Sequence, residues 1–111
     1  MRRFGSINNL QEFMKIYKDS RKIHCCGAVI FYLKDQENKM AVVASKKIGK
    51  AVKRNLAKRL LREIFYKIQN NLNNGKYILV AKKELFTLSF FDFEKKIKNC
   101  LNKLKCLKSL Y

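Results

Sequence analysis

The sequence predicts an α+β fold, a small α/β sandwich whose sheet is covered by helices mainly on one face. Apolar residues recur at helical spacing in three segments, and strand-forming residues cluster between them. A hydrophobic fraction of 48% offsets chain entropy even with 31% of residues charged. At 111 residues with 12% aromatics, the chain has the size of one domain, residues 1–111, whose core needs neither metal nor disulfide staples.

Leu10, Phe13, Met14 and Tyr17 fall at i, i+3, i+4 and i+7 and predict a first helix. Asn9 suits its N-cap, and Glu12, three residues on, suits the capping-box partner. Ile23 to Leu33, IHCCGAVIFYL, is rich in strand formers and reads as one strand ended by the polar DQENK. A second strand, MAVVAS, begins at Met40, and the two are expected to pair as an antiparallel hairpin. Gly49 allows the chain to turn into a central helix that runs to about Leu72, where NNGK offers Asn and Gly for a left-handed cap. KYILVAKK, residues 76–83, reads as a third strand. Ser89 and Asp92 form a capping signature ahead of Phe90, Phe93, Ile97, Leu101 and Leu104, the apolar stripe of a last helix.

Twenty-six Lys and Arg against eight acids give a net charge of +18, far more than solubility requires, which points to a polyanionic partner. No apolar run approaches the roughly 18 to 20 residues of a membrane span, so no membrane partner is expected. MRRFGSINNLQEF carries charge without a following apolar region, which does not fit a secretion signal and suits a cytoplasmic protein. Cys25, Cys26, Cys100 and Cys106 lack the spacing of a zinc site and are expected as buried or half-buried free thiols. Adjacent on a strand, Cys25 and Cys26 would point to opposite faces. His24 is the sole histidine and the acids are scattered, so no catalytic residue and no metal site is expected on the protein. Gly49-Lys50 lacks the earlier glycine and the following Ser or Thr of a phosphate loop.

The central helix carries two patterns. A turn of 100° per residue puts Ala57, Leu60, Leu61, Ile64, Phe65 and Ile68 on a core face, and Arg54, Lys58 and Arg62 on an adjacent arc with Asn55 and Arg59 beside them. Like charges at i+4 cost an isolated helix about 0.2 to 0.5 kcal/mol per pair, and Glu63 relieves only Arg59. Folding alone does not favour this row, whereas phosphates do. Lys46, Lys47, Lys50 and Lys53 extend it across the strand-to-helix junction. A DNA-reading helix would need several base-reading side chains; Asn55 is the only strong candidate, so no DNA partner is expected.

The run from Ser45 to Glu63, SKKIGKAVKRNLAKRLLRE, closely resembles the signature of the bacterial ribonuclease P protein subunit, a pattern like SKK-x-G-N-A-V-x-R-N-R-x-K-R-x-x-R-E. Lys50 stands where that pattern has Asn, and Leu56 where it has its second Arg. The order of elements and the spacing of Phe13 and Tyr17 extend the resemblance over nearly the whole chain. It implies an α+β sandwich with a left-handed crossover joining the central helix to parallel strands. It further implies a catalytic RNA partner gripped by the signature helix, and a cleft between first helix and sheet that receives the single-stranded 5′ leader of precursor tRNA. Phe13 and Tyr17 match aromatic positions of that cleft, and Val29 and Phe31, on one side of the first strand, are expected to line it with them. Cleavage to the mature 5′ end would then fall to the RNA, with Mg²⁺ bound mainly there. The competing reading is a structural RNA-binding protein such as a small ribosomal component, which gives a leader cleft no role.

Overall fold

The computed structural model describes residues 3–105. In chain order it has β1 (Gly5–Ser6), α1 (Leu10–Asp19), β2 (Arg21–Cys25), β3 (Ala28–Lys34), β4 (Lys39–Val43), α2 (Ala51–Ile68), β5 (Gly75–Ala81) and α3 (Phe90–Lys103). The strands make one sheet in the order β1-β4-β5-β3-β2. β4 pairs in parallel with both β1 and β5, and the other neighbours are antiparallel. The predicted α+β class holds, with α2 carrying the chain from β4 to its parallel neighbour β5.

The sheet's detail differs from the sequence expectation in three places. IHCCGAVIFYL is two strands, β2 and β3, folded on each other about Cys26-Gly27, where Gly27 takes a φ of +100° that a turn needs. Cys25 therefore ends β2 buried and Cys100 is half-buried, as expected, but Cys26 is exposed, because it sits in the turn and not on a strand. β3 does not pair with β4, because β5 lies between them and buries both of its edges by pairing with each. The short β1 has no counterpart in the sequence expectation because two residues, Gly5 and Ser6, show no periodicity. Cys106 lies outside the described residues.

Alternate residues divide the sheet into two faces. Ala28, Ile30, Tyr32, Met40, Val42, Tyr77 and Leu79 meet the apolar sides of α2 and α3 in the larger core. Phe4, Phe65 and Tyr77 interlock there edge to face, with centroids 5.0 to 5.6 Å apart. The opposite face carries only α1, whose Ile16 packs with Ile7 and Ile78 in a smaller cluster. Coverage is thus unequal, as the sequence predicts, and it leaves much of the α1 face half-buried.

Helix ends follow local chemistry. Asn9 caps α1 by accepting the Gln11 N–H at 2.7 Å, and Ser89 caps α3 by accepting the Asp92 N–H at 3.1 Å. α2 stops at Ile68 and tightens into a 3₁₀ turn, Gln69–Asn71, short of the expected left-handed glycine cap. Arg3 meets the carbonyls of this turn, its guanidinium donating to Gln69 O at 2.7 Å and Leu72 O at 2.6 Å. Gly75 opens β5 with φ +149°, where a Cβ would come within 2.7 Å of both Leu33 O and Tyr32.

Candidate nucleic-acid interface

α2 presents the two patterns the sequence predicts. Ala57, Leu61, Ile64, Phe65 and Ile68 are buried, and Leu60 is half-buried beside them. Arg54 and Lys58 are half-buried at the margin and Arg62 is exposed, as are Asn55 and Arg59. The one acid near the row, Glu63, accepts from Arg59 Nε at 3.2 Å. Among the described residues no ion pair involves Arg54, Lys58 or Arg62, so their charge faces outward uncompensated.

Lys46 and Lys47 lie in a 3₁₀ turn, Lys46–Ile48, and Lys50 is the N-cap of α2, all three exposed. Gly49, with φ +140°, makes the turn between these segments. No side chain caps this helix start and no acid occupies its first turn. Free N–H groups and lysines therefore share one end of α2. Lys53 departs from the row: its ammonium lies over the Phe86 ring, 4.9 Å from the centroid, on the other flank of the core stripe. Val52 and Leu56, one turn apart, are exposed apolar residues at 82% and 44%.

On the opposite sheet face, Phe13, Tyr17 and Phe31 come together. Tyr17 stands edge-on to Phe31 at 4.8 Å and tilted to Phe13 at 6.2 Å. Val29 lies two residues from Phe31 on the same face, half-buried. The α1 stripe differs from the expected one. Leu10 and Met14 are 74% and 61% exposed and Tyr17 41%, while Ile16, outside the stripe, is the helix residue fully buried. Phe13 is half-buried against the smaller core and Tyr17 exposed beside it, so their rings and that of Phe31 form a partly open aromatic surface, a shallow groove, between α1 and the sheet. Partial burial without a charged partner raises the Tyr17 phenol above its ordinary pKa, so it stays neutral. Lys22 on β2, absent from the sequence-derived site, holds its ammonium 5.9 Å from the Phe31 centroid at the groove's edge. Its signal was alternation: Lys22 and Phe31 are register partners.

Glu12 also proves different from its expected capping role. It reaches across to Lys76 Nζ at 2.6 Å and to Lys39 at 3.4 Å, clamping α1 to β5 and β4. Glu37 and Asp35 surround the same lysine at 3.6 and 3.8 Å. The hydrogen bond from Lys76 holds the Glu12 carboxyl below its usual range, and Glu12 in turn raises Lys76. Among the described residues no three His, Cys, Asp or Glu side chains gather closely enough to hold a metal ion. No described helix is long and apolar enough to cross a membrane.

A protein-family model, Ribonuclease P, matches residues 1–105. The chain belongs to that family. The "Ribonuclease P protein component" of a Nitratiruptor species is 34% identical over 105 residues, covering 95% of this chain and 96% of the relative. The fold is that of the Staphylococcus aureus RNase P protein, with a TM-score of 0.80 at 23% identity over 93% of this chain and 97% of that one. The RNase P protein of Thermotoga maritima matches with a TM-score of 0.77 at 25% identity, over 88% of this chain and 96% of the other. The Ribonuclease P match spans α1, the whole sheet and α2, so groove and basic row both fall within the family's extent.

Proposed function

We propose that the chain is the protein subunit of a ribonuclease P ribonucleoprotein that removes the 5′ leader of precursor tRNA in the cytoplasm. The observation that carries this reading is the pairing of two unlike surfaces on opposite faces of one sheet: an uncompensated cationic row on α2 and a half-open aromatic groove beside α1. The row suits a folded RNA, read through phosphates without regard to sequence. Arg54, Lys58 and Arg62, with Asn55 and Arg59 beside them and Lys46, Lys47 and Lys50 at the helix start, would hold the catalytic RNA. The groove suits a single strand, since rings of Phe13, Tyr17 and Phe31 accept any base face. Lys22 would neutralise a phosphate at its edge.

On this reading the protein supplies affinity and position, and the RNA supplies cleavage with Mg²⁺ bound mainly to itself. Adding the chain to its cognate RNA at low Mg²⁺ should stimulate 5′ maturation, and shortening the leader should weaken substrate binding. A structural RNA-binding protein such as a ribosomal component would show neither effect, and that result would overturn the proposal.

A further inference from the structure

Phe90 and Phe91 open α3 at the protein surface. Of the eight phenylalanines they alone are exposed, at 39% and 67%, whereas the other six are buried or half-buried. Each ring has a lysine over it. Lys67 of α2 lies 5.5 Å from the Phe90 centroid, and Lys95, one turn along α3, lies 5.4 Å from that of Phe91. An ammonium over one face of a ring leaves the other face free. Glu94 fixes the junction by accepting from Lys67 at 2.7 Å and from Lys98 at 2.9 Å. Three lysines thus surround two open rings and one acid, and this corner repels a second copy of a chain whose net charge is +18. Another protein fits poorly too, because protein interfaces are depleted in lysine. An RNA fits both features, since bases stack on ring faces while phosphates meet the lysines beside them.

The corner belongs to the α2 side of the molecule. α2 and α3 cover the same sheet face, and Lys67 ties the start of α3 to α2, whereas the aromatic groove beside α1 lies on the opposite face. Around α2 the helical period runs from Arg62 through Asn55 and Arg59, all exposed, to Lys67, so an RNA lying on that arc reaches the start of α3. We propose that Phe91, with Lys95 beside it, is a stacking platform for one unpaired base of the catalytic RNA, continuing the contact made by the cationic row. This rests on the ribonuclease P subunit reading above and adds to it a contact on a third helix. Phe90, the less exposed ring, turns toward α2 and braces the platform there.

The chain contains no tryptophan, so Phe91→Trp keeps a ring at this position and makes it the only indole in the protein. Its emission should be quenched when the cognate catalytic RNA binds, and its affinity should match that of the unaltered chain. Phe91→Ala should weaken binding of the same RNA about tenfold, within the span of base stacking on aromatic rings, without changing the slope of log K against log salt. Far-UV circular dichroism should hold, because the ring lost is an exposed one. Lys95→Ala should flatten that slope by about 0.7 to 0.9, one phosphate's share. Emission unquenched by the catalytic RNA, or unchanged affinity in Phe91→Ala, would overturn the platform and leave the subunit reading intact. Quenching by precursor tRNA alone and not by the catalytic RNA would overturn it equally. Failure of the unaltered chain to bind the catalytic RNA would instead remove the subunit reading, and the platform with it.

Discussion

At Leu56 the side chain is 44% exposed and touches no described acid, although it sits on the same helix as the cationic row. A guanidinium there would meet water without disturbing the core, which α2 builds from its opposite side. Leu56→Arg should therefore strengthen assembly with the RNA and steepen the slope of log K against log salt by about 0.7 to 0.9, one phosphate's share. Salt titration of binding checks this, and an unchanged slope would mean that position 56 faces away from RNA. Gly75 illustrates the reverse case, where the backbone permits no change. Its φ of +149° and the 2.7 Å approach of Leu33 O leave no room for a Cβ, so Gly75→Ala should cost about 1 to 3 kcal/mol. A lower urea midpoint at constant m would show it. Sequence pattern alone places this glycine as a helix cap; the contact that demands it comes from β3, remote in sequence and invisible to local pattern.

α2 and α3 were legible as elements because each buries one stripe set by its own period, as Leu61, Phe65, Phe93 and Ile97 show. α1 was legible as a helix but not in its orientation. Leu10, Phe13, Met14 and Tyr17 share a periodic face, yet hydrophobic spacing cannot separate a face that packs from one that lines an open groove, and the buried Ile16 has only Phe13, three residues before it, as an apolar neighbour at helical spacing. The Glu12 to Lys76 clamp sets that orientation, and it titrates. Because Lys76 holds the Glu12 carboxyl below its ordinary value, the stabilisation it gives is complete above about pH 4.3 and is lost as pH falls through the lowered folded value. The raised Lys76 would lose its part only at alkaline pH, above about 10.4. Glu12→Gln should thus lower unfolding free energy by about 1 to 3 kcal/mol at pH 7. The gap should narrow toward zero below the carboxylate range. Urea unfolding of both proteins at pH 7 and pH 3 measures this, and equal midpoints at pH 7 would show that the clamp contributes nothing.

Across the molecule, three of the eight acids are drawn into the Lys39 and Lys76 network at the start of α1, and Glu94 is shared between Lys67 and Lys98. These four acids thus lie away from the row of α2, where Glu63 alone offsets a base among the described ion pairs. Strand order was beyond the sequence because β5 enters between β3 and β4 from the far side of α2, guided by parallel pairing that leaves no local mark. The charge distribution was legible, since a helix period sorts bases from core residues in one dimension. Its consequence can be tested on the assembled complex. Arg54 carries no described ion pair, while Arg59 must leave Glu63 to meet a phosphate. If each meets one phosphate, replacing both by Ala should flatten the salt slope of RNA binding by about 1.4 to 1.8. Neither side chain belongs to the core, so far-UV circular dichroism and the thermal midpoint should hold. Loss of the fold would mean that these bases brace the helix; a full slope with weaker binding would mean that they shape the RNA contact without meeting phosphate.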